Sequence, residues 1–371
     1  MKRALVAAVA CEDYEKSRVE KAIEEGLEIL DLPARKESER VLVKPNCLSP
    51  KHPSKCVTTH PAVVGAVVRK YRDLCSEIVV ADQPGGTHGD RALDTSMIRR
   101  AAEGEGVQAI TFDKEGYDEI ELPGPLKMGY FARTYREADF VISLPKLKTH
   151  AQTKFTGAVK NVFGAVPLKT RRLGHCLAEL LSEVLVDIYA FSPPHLNIMD
   201  AVWGMEGDGP SQGRPRHVGL ILFSQDAVAM DAVASHLIGF DPMEIPTTRI
   251  AHDRGVGVGD LGEIELVGEP IEPYRKRFKP PTNFFMNNAK LLSWLLYSLS
   301  SVKPKVYRKA CNRCEGCLQV CSVDAISMNP YPVVDYRRCI ECFSCAEICE
   351  LEAIRPKRIF RVPILSKLIE A

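Results

Sequence analysis

The chain reads Cys311-Asn-Arg-Cys314-Glu-Gly-Cys317-Leu-Gln-Val-Cys321 and, a little further on, Cys339-Ile-Glu-Cys342-Phe-Ser-Cys345-Ala-Glu-Ile-Cys349. In both runs two residues separate each of the first three cysteines from the next, and three residues precede the fourth. The flanking residues match as well, since Cys321-Ser-Val-Asp-Ala-Ile corresponds to Cys349-Glu-Leu-Glu-Ala-Ile at an offset of 28. The two runs are therefore copies of one internal repeat, and they decide the fold of this part of the chain.

Eight of the thirteen cysteines lie in these runs, at a spacing typical of iron-sulfur proteins. Three thiolates with two residues between neighbours can surround one iron-sulfide cube, whereas the fourth has entered a helix and reaches the other cube. This rule predicts two [4Fe-4S] clusters whose ligands cross between the repeats. The first cluster takes Cys311, Cys314, Cys317 and Cys349, and the second takes Cys339, Cys342, Cys345 and Cys321.

From Lys309 to Pro356 these residues resemble a bacterial-type ferredoxin with two [4Fe-4S] clusters. The sequence departs from that family after each fourth cysteine, where Ser322 and Glu350 stand in place of a proline. Proline fixes the turn that follows the ligand, so its replacement is expected to change cluster hydration and potential without removing a ligand.

Structural zinc and disulfides are the alternatives for so many cysteines. Zinc ribbons usually separate two Cys-x2-Cys pairs by a long loop, which does not suit triplets at this spacing. A disulfide framework is disfavoured because closely spaced thiols in a large chain without an export signal indicate a reducing compartment. The residues Met1 to Cys11 imitate a signal peptide, but their apolar core is short and Glu12-Asp13 follow at once, which favours a first β-strand.

Composition places few limits on function. The chain has 371 residues, a net charge of +1 and 45% hydrophobic residues, which allows two or three domains and gives no global sign of nucleic-acid binding. No apolar run reaches the roughly 18 to 20 residues needed to cross a bilayer. We therefore expect a cytoplasmic protein.

The segment from Lys2 to Gly268 alternates short β-branched runs with longer helical ones, which predicts a large α/β domain with a mostly parallel sheet. The expected strands are Ala4 to Ala10, Arg40 to Lys44, Glu77 to Asp82, Val107 to Phe112, Phe140 to Leu144, Leu196 to Met199, Val218 to Phe223 and Glu263 to Val267. The clearest expected helices are Glu15 to Leu30, Pro61 to Leu74, Arg91 to Glu103, Cys176 to Tyr189 and Asp226 to Ile238.

Four segments are expected in all. They are an α/β domain over residues 1–268, a linker with an apolar docking helix over 269–305, a small ferredoxin-like α+β iron-sulfur domain over 306–357, and a tail over 358–371. The prolines between Gly268 and Pro281 indicate the linker. The apolar stretch Leu291 to Leu299 is interpreted as a helix that docks the small domain, with association with a membrane surface or another subunit as the alternative.

A basic segment follows the expected strand Phe140 to Leu144. From Phe140 to Ala178 the chain contains no Asp or Glu but seven Lys and Arg residues. Threonines, glycines and His150 are interleaved with Lys146, Lys148 and Lys160, which favours a site for an anionic small molecule over a solvated basic face. Nucleic acid is disfavoured because no stacking aromatics alternate with the lysines.

Carboxylates cluster after the expected strand Leu196 to Met199, in a glycine-rich stretch with Asp200, Glu206 and Asp208. They could hold a divalent metal or act as acid and base, although such residues often only cap helices and turns. The stretch matches neither a flavin nor a nicotinamide fingerprint, so a further cofactor is not identified.

The first 270 residues resemble the domain of unknown function 362 family. The resemblance is carried by Lys44-Pro-Asn46, Pro145-Lys-Leu-Lys-Thr-His150, Lys160-Asn161, Gly204-Met-Glu-Gly-Asp-Gly-Pro210 and the stretch Asp226 to Asp231. Members of this family often carry a ferredoxin module at the carboxyl end. The resemblance implies an architecture, but no reaction is assigned to the family.

The favoured hypothesis is an oxidoreductase that takes electrons from a protein donor through the two clusters. The acceptor would be an anion held by Lys146, Lys148, His150 and Lys160, with Asp200, Glu206 or His150 as the proton donor. A second hypothesis is a non-catalytic electron-transfer or maturation subunit that docks a larger complex. A third is a hydrolytic or transfer enzyme whose clusters are only structural.

Overall fold

The protein is described here from a computed structural model, which covers residues 4–32, 39–85, 89–282 and 300–360. The expected docking helix Leu291 to Leu299 and residues 361–371 of the expected tail lie outside the described residues. Within those ranges, no helix combines the length and apolar character needed to cross a bilayer.

The main domain contains a ten-stranded, mostly parallel sheet. Its strands are β1 (Ala4–Ala10), β2 (Arg40–Pro45), β3 (Glu77–Asp82), β4 (Ala109–Thr111), β7 (Phe140–Leu144), β8 (Lys146–His150), β9 (Lys154–Thr156), β10 (Leu196–Glu206), β11 (Arg214–Ser224) and β12 (Ile264–Gly268); a separate hairpin is formed by β5 (Tyr117–Glu121) and β6 (Met128–Ala132). The strand order is β12-β1-β11-β10-β7-β2-β3-β4, with β8 paired to β10 and β9 paired to β8. The antiparallel pairs in this sheet are β1 with β11, β10 with β11, and β8 with β9.

Helices cover both faces of the sheet. They are α1 (Lys16–Leu30), α2 (Pro61–Tyr71), α3 (Gly89–Thr95), α4 (Ile98–Glu103), α5 (Arg133–Arg136), α6 (Ala158–Asn161), α7 (Leu168–Cys176), α8 (Leu181–Phe191), α9 (Ala227–Leu237) and α10 (Pro246–Asp253). Alternate residues of one strand enter opposite cores: Val41 and Val43 pack in the core that contains α1 and α2, and Leu42 packs in the core that contains α8 and α9. This alternation is the reason that the strands are apolar throughout, as expected for a sheet buried on both faces.

The carboxyl-terminal module spans residues 300–360 and repeats one backbone pattern. Its elements are β13 (Ser300–Val306), α11 (Gly316–Gln319), β14 (Ile326–Met328), β15 (Pro332–Val334), α12 (Ser344–Glu347) and β16 (Ile354–Phe360). Strands β13 and β16 pair antiparallel, so the module begins before residue 306 and continues beyond residue 357. Left-handed backbone occurs at Arg313, Glu315, Asp324, Glu341, Phe343 and Glu352, which form three pairs at the offset of 28.

Three expected elements differ from the structure. The helix expected over Arg91 to Glu103 is broken, because Met97 has a left-handed φ of 60° between α3 and α4. The helix expected from Cys176 instead begins at Leu181, after α7 has ended. The strand expected over Leu196 to Met199 continues to Glu206, because its partner β11 pairs with it along that whole length.

Two helical glycines allow a matched stability test. Gly26 in α1 packs against the ring of Phe223, which an added Cβ would overlap, whereas a Cβ at Gly65 in α2 would meet its nearest atom at 3.8 Å. We expect Gly26→Ala to lower the free energy of unfolding by about 1 to 3 kcal/mol through overpacking. Gly65→Ala should raise it by about 0.5 to 1 kcal/mol, because alanine restricts the unfolded chain. Urea unfolding monitored by circular dichroism checks both, and a more stable Gly26→Ala protein would contradict the packing described here.

Candidate functional site

The basic segment enters the structure as a buried strand. All five residues of β8 are buried, and they follow directly on β7 and Pro145. Because alternate side chains of a strand point to the same side, Lys146, Lys148 and His150 share one side of β8. These side chains do not form a solvated basic face.

Lys146 and Asp200 form a closed polar cluster. Lys146 Nζ lies 2.8 Å from Asp200 Oδ2 and donates a hydrogen bond of 2.8 Å to the Tyr14 hydroxyl. The Tyr14 hydroxyl donates in turn to Asp200 Oδ1 at 2.8 Å, and the backbone N–H of His60 donates to Asp200 Oδ2 at 2.9 Å. The Tyr14 and His60 rings stack 3.5 Å apart. Lys146 and Asp200 therefore neutralise each other, and neither offers an unused charge.

Lys148 is a buried amine with neutral acceptors. Its Nζ donates to Asn46 Oδ1 at 2.6 Å and to the carbonyl of Val57 at 2.7 Å. Burial, together with the nearby charges of Lys160 and Lys146, lowers the pKa of Lys148 to about 7. A group with such a pKa can exchange a proton near neutral pH.

His150 points an N–H towards a residue of the carboxyl-terminal module. Its Nδ1 accepts hydrogen bonds from the backbone N–H groups of Gln152 at 3.1 Å and Thr153 at 3.3 Å. Burial holds the pKa of His150 well below its usual value, so the ring is neutral and carries its proton on Nε2. That Nε2 lies 3.6 Å from Glu347 Oε1, and neither buried atom has a hydrogen-bond partner among the described residues.

Glu347 and Lys160 line one cavity from opposite sides. The cavity has a volume of about 510 Å³, its open mouth included, and lies between the main domain and α12. Its polar lining residues include Lys160, Arg171, Arg172, His175, Ser344 and Glu347. Within the part of the chain that the structure describes, Lys160 Nζ has no hydrogen-bond acceptor and no carboxylate within 4.0 Å; its described contact is with the Phe163 ring, at 5.7 Å from the centroid.

Burial shifts the charges around this cavity. It lowers the pKa of Lys160 and raises the pKa of Glu347. The Arg171 guanidinium donates hydrogen bonds to the carbonyl groups of Val166, Gln83 and Gly164, and no carboxylate of the described residues lies within 4.0 Å of it. The cavity can therefore accept an anion at Lys160, and the positive charge of Arg171, which also lines the cavity, adds electrostatic attraction.

Asp231 positions Lys160. Its carboxylate accepts from the backbone N–H groups of Ala158 at 2.6 Å and Val159 at 3.1 Å, which are the first residues of α6. Gly157 precedes them because a Cβ at this position would overlap the same carboxylate. The sequence singled out Asp231 only as part of a helix start, and the structure shows that it orients the turn that carries Lys160.

Glu206 and Asp208 lie where β10 turns back towards β11. The Glu206 carboxylate accepts a hydrogen bond from the backbone N–H of Lys279 at 3.1 Å, and Asp208 binds Thr282 through its N–H at 2.7 Å and its hydroxyl at 2.9 Å. Both carboxylates thus hold the chain that leaves the main domain. Among the described residues, no three His, Cys, Asp or Glu side chains are arranged to hold a single metal ion.

The eight cysteines of the two runs come together in two sets. A cavity of about 550 Å³, its open mouth included, is lined by Cys311, Cys314, Cys317 and Cys349. Burial raises the pKa of Cys317 to about 12, and the charges of the other three members of this set raise it further. The pKa of Cys345 is likewise raised by burial and then by nearby Cys342, Cys339, Cys317 and Cys321. Cys349 of the second run therefore lies with the first three cysteines of the first run, and Cys321 of the first run lies near Cys345 of the second.

Backbone N–H groups point at the sulfur atoms in the same way in both repeats. Ala325 N donates to Cys321 Sγ at 3.1 Å, and Ala353 N donates to Cys349 Sγ at 3.1 Å. Such bonds stabilise thiolates and tune the potential of an iron-sulfur cluster. The converging thiols, the cavity between them and these donors suit a four-iron cluster with four cysteine ligands.

The module is attached to the main domain by ion pairs and backbone contacts. Lys51 Nζ binds the carbonyl of Glu350 at 2.7 Å and Glu352 Oε1 at 3.2 Å. Arg172 Nη2 binds the carbonyl of Cys321 at 2.7 Å and Asp324 Oδ1 at 2.9 Å. These contacts keep the second cysteine set next to the cavity that Lys160 lines.

Sequence reasoning missed Glu347 and His175 as members of the site, and it counted Arg171 only among the seven charges of the basic segment. Arg171 and His175 lie on α7, after the motif from which the site residues were chosen. Glu347 lies inside the second cysteine run, and the residue at the same position of the first run is Gln319. A difference in charge between two otherwise matching repeats was the available signal.

The lowered pKa of Lys148 has a measurable consequence. The unfolded chain keeps a proton on this lysine up to about pH 10.5, whereas the folded protein releases it near pH 7, so unfolding takes up a proton between these values. We expect the unfolding free energy of the parent to rise with pH across that window relative to Lys148→Met, by at most about 1.4 kcal/mol per pH unit.

Chemical denaturation at several pH values checks this slope, with Lys21→Met as the control. Lys21 is exposed on α1 and should leave the slope unchanged. Equal slopes for the parent and Lys148→Met would show that the amine is protonated in the folded protein throughout.

Comparison with known proteins gives one family. A model described as "Domain of unknown function (DUF362)" matches residues 41–236, just over half of the chain. The "Thylakoid-associated protein sll1697" of Synechocystis sp. (strain ATCC 27184 / PCC 6803 / Kazusa) is 34% identical over 228 residues, which are 57% of this chain and 67% of that protein.

One solved structure, titled "Structure of the lactate racemase apoprotein from Thermoanaerobacterium thermosaccharolyticum", is 14% identical with a TM-score of 0.42 and covers 65% of this chain and 57% of its own. A likeness at that level supports no inference about activity. The family match confirms the resemblance carried by the motifs around Lys44, Lys146 and Lys160. The chain belongs to the DUF362 family.

Proposed function

We propose that this protein is an iron-sulfur oxidoreductase that delivers electrons to an anionic small molecule bound in the cavity between the main domain and α12. Cys311, Cys314, Cys317 and Cys349 would hold one [4Fe-4S] cluster, and Cys339, Cys342, Cys345 and Cys321 the other. Such clusters supply single electrons over a wide range of potentials.

One observation carries the proposal: the cavity is walled by Lys160 of the main domain and by Glu347, which stands two residues after Cys345. An anion at Lys160 would therefore lie directly against the helix that carries ligands of the second cluster. A charged group placed in a partly closed site beside an electron carrier is the arrangement that reduction of a bound substrate requires.

The remaining residues have distinct parts in this proposal. Lys160 binds the anion, and Asp231 positions Lys160. Lys148, with a pKa of about 7, would supply a proton as the substrate gains electrons. His150 is neutral, so it would only donate a hydrogen bond through its Nε2–H beside Glu347, and it is not the proton donor expected from the sequence. Asp200 neutralises Lys146 and stabilises the fold. Glu206 fixes the linker through the backbone N–H of Lys279.

The location of the protein and its electron donor stay predictions. The sequence suggests the cytoplasm, while the named relative is described as associated with the thylakoid. The chain spans about two thirds of that relative, so we attribute no property of the relative to this protein beyond membership of the family.

Iron content and thiol protection test the proposed clusters. We expect anaerobically prepared protein to hold about eight iron atoms and dithionite to bleach its visible absorption. In Cys349→Ser the first cluster should be lost, so iodoacetamide should label Cys311, Cys314 and Cys317, because their fourth ligand comes from the other repeat. The second set should stay protected, and mass spectrometry of the labelled peptides reads out both.

Cys176→Ser is the control, since Cys176 is exposed and belongs to neither set. It should keep the full iron content. Labelling of Cys339, Cys342 and Cys345 in Cys349→Ser, with the first set protected, would show that each run binds its own cluster. An absorption spectrum that dithionite leaves unchanged would remove the oxidoreductase proposal.

Anion binding tests the cavity. We expect Lys160→Ala to weaken the binding of inorganic phosphate or acetate by about 10-fold or more, the effect of losing one charge-assisted hydrogen bond. Lys169→Ala is the matched control, because Lys169 belongs to the same basic segment but is exposed and contacts the Tyr130 ring. Isothermal titration calorimetry measures the affinity of both variants for the anion. Equal affinities of Lys160→Ala and Lys169→Ala would exclude Lys160 as the anion site.

A further inference from the structure

Carboxylates and cations of the carboxyl-terminal module differ in their surroundings: several carboxylates contact the main domain, whereas several cations are exposed to solvent. Three of the module's carboxylates pair with the main domain: Asp324 with Arg172, Glu350 with Arg91 at 2.8 Å, and Glu352 with Lys51. Two others, Asp335 and Glu341, pair within the module. Glu347 enters the cavity beside His150 and Lys160. Negative charge on the module is thus largely used in holding the two parts of the chain together.

Six cations of the module are exposed and, among the described residues, have no carboxylate within 4.0 Å. Arg338 and Arg358 bind backbone carbonyl groups instead. The other four, Arg308, Lys309, Arg313 and Arg355, are grouped about Tyr307 and Tyr331, close in sequence to Cys311, Cys314 and Ile354, which line the cavity of the first cysteine set. The exposed carboxylate in the same region is Glu315. We call these four cations the basic patch.

The basic patch surrounds a point at which the module opens to solvent. Cys314 is exposed, and the cavity lined by its set also has the exposed residues Asn312, Glu315 and Leu351 in its wall. Leu351 is 48% exposed and Tyr307 is 40% exposed, so apolar contact area lies beside the cations. The second set is more enclosed, with Cys321, Cys342 and Cys345 buried. A protein partner can therefore approach the first set closely, but not the second.

Unpaired arginines around apolar side chains are typical of a surface that recognises a partner of opposite charge. Like charges in close proximity repel, so a patch of four cations is tolerated because it is solvated or because a partner neutralises it. No described carboxylate of the module pairs with these four cations, although Asp335 and Glu341 pair with other cations of the module.

We propose that the basic patch is the docking surface for a small acidic electron-carrier protein, whose carboxylates surround its own redox group. The inference rests on the proposed function, because it assigns the entry point of the electrons that the cavity consumes. Electrons enter at the first cluster and leave from the second, which adjoins Lys160.

Binding of an acidic plant-type [2Fe-2S] ferredoxin to the cluster-loaded full chain tests the proposal. The dissociation constant at low ionic strength should rise about 10-fold or more in the triple variant Arg308→Gln, Lys309→Gln, Arg355→Gln, because electrostatic attraction between the two proteins is lost. The affinity of the parent should also fall as salt is added, since added ions screen charges on exposed surfaces. Biolayer interferometry measures both.

A matched variant removes three exposed cations of the main domain, Lys16, Lys21 and Arg216, each replaced by Gln. It should bind the ferredoxin as the parent does. A basic cytochrome c, used in place of the ferredoxin, should not bind the parent. Unchanged ferredoxin binding in the patch variant, or binding by the parent that salt does not weaken, would overturn the proposal.

Vesicles of phosphatidylglycerol separate a protein partner from an anionic membrane surface. If the parent sediments with these vesicles and shows no affinity for the ferredoxin, the patch is a membrane contact and the proposal is wrong. The outcome is independent of the substrate site, because anion binding at Lys160 is measured without a carrier. A parent protein that binds anions at Lys160 but does not bind the ferredoxin would therefore reject the docking surface alone.

Discussion

The structure depends on neutralising the charges of several buried lysines at the carboxyl edge of the sheet. Lys44, Lys146 and Lys148 are each at most 2% exposed, and a buried ammonium group without a partner costs several kcal/mol. Each therefore requires acceptors from elsewhere in the chain. Lys44 Nζ forms an ion pair with Asp82 Oδ1 of β3 at 2.7 Å, and Lys146 Nζ forms one with Asp200 Oδ2 of β10 at 2.8 Å. These two pairs join β2 to β3 and β8 to β10 where the strands meet the loops.

Compensation is incomplete at Lys148 and Lys160, and this is the physical reason for placing the site there. Lys148 has only neutral acceptors, and Lys160 has no described acceptor. The carboxylate that most raises the pKa of both lysines is Glu347 of α12, in the other part of the chain. Elsewhere at this edge of the sheet a carboxylate neutralises each buried lysine. At this position the cavity keeps a positive charge, which a bound anion would neutralise.

The module gains its orientation from the same charges. The ion pairs of Asp324, Glu350 and Glu352 with Arg172, Arg91 and Lys51 hold the module against the main domain. A four-cysteine pattern is symmetric under the repeat, so the two sets would be equivalent in an isolated module. Packing against the main domain makes them differ: Glu347, two residues after Cys345, lines the cavity with Lys160, whereas Cys314 of the first set is exposed.

Much of the fold could be predicted from local pattern. β-branched runs located β1, β3 and β7, because a strand buried on both faces must be apolar along its length. The break at Met97 and the full length of β10 could not be predicted, since both depend on neighbours distant in sequence. For the same reason Asp200 and Glu206 were expected in one glycine-rich loop, whereas they lie on a paired strand and bind Lys146 and the linker.

By itself, the sequence determined the two cysteine runs, their duplication and the acid-free segment, because spacing and charge are properties of the chain before it folds. Only the tertiary structure decided which cations are neutralised. Asp82 and Asp200 neutralise Lys44 and Lys146 across neighbouring strands, while Glu347, from a module far away in sequence, lines the same cavity as Lys160 without forming an ion pair with it. Charge compensation acts over a few ångströms in space, and no local pattern records which distant carboxylate will stand at that distance.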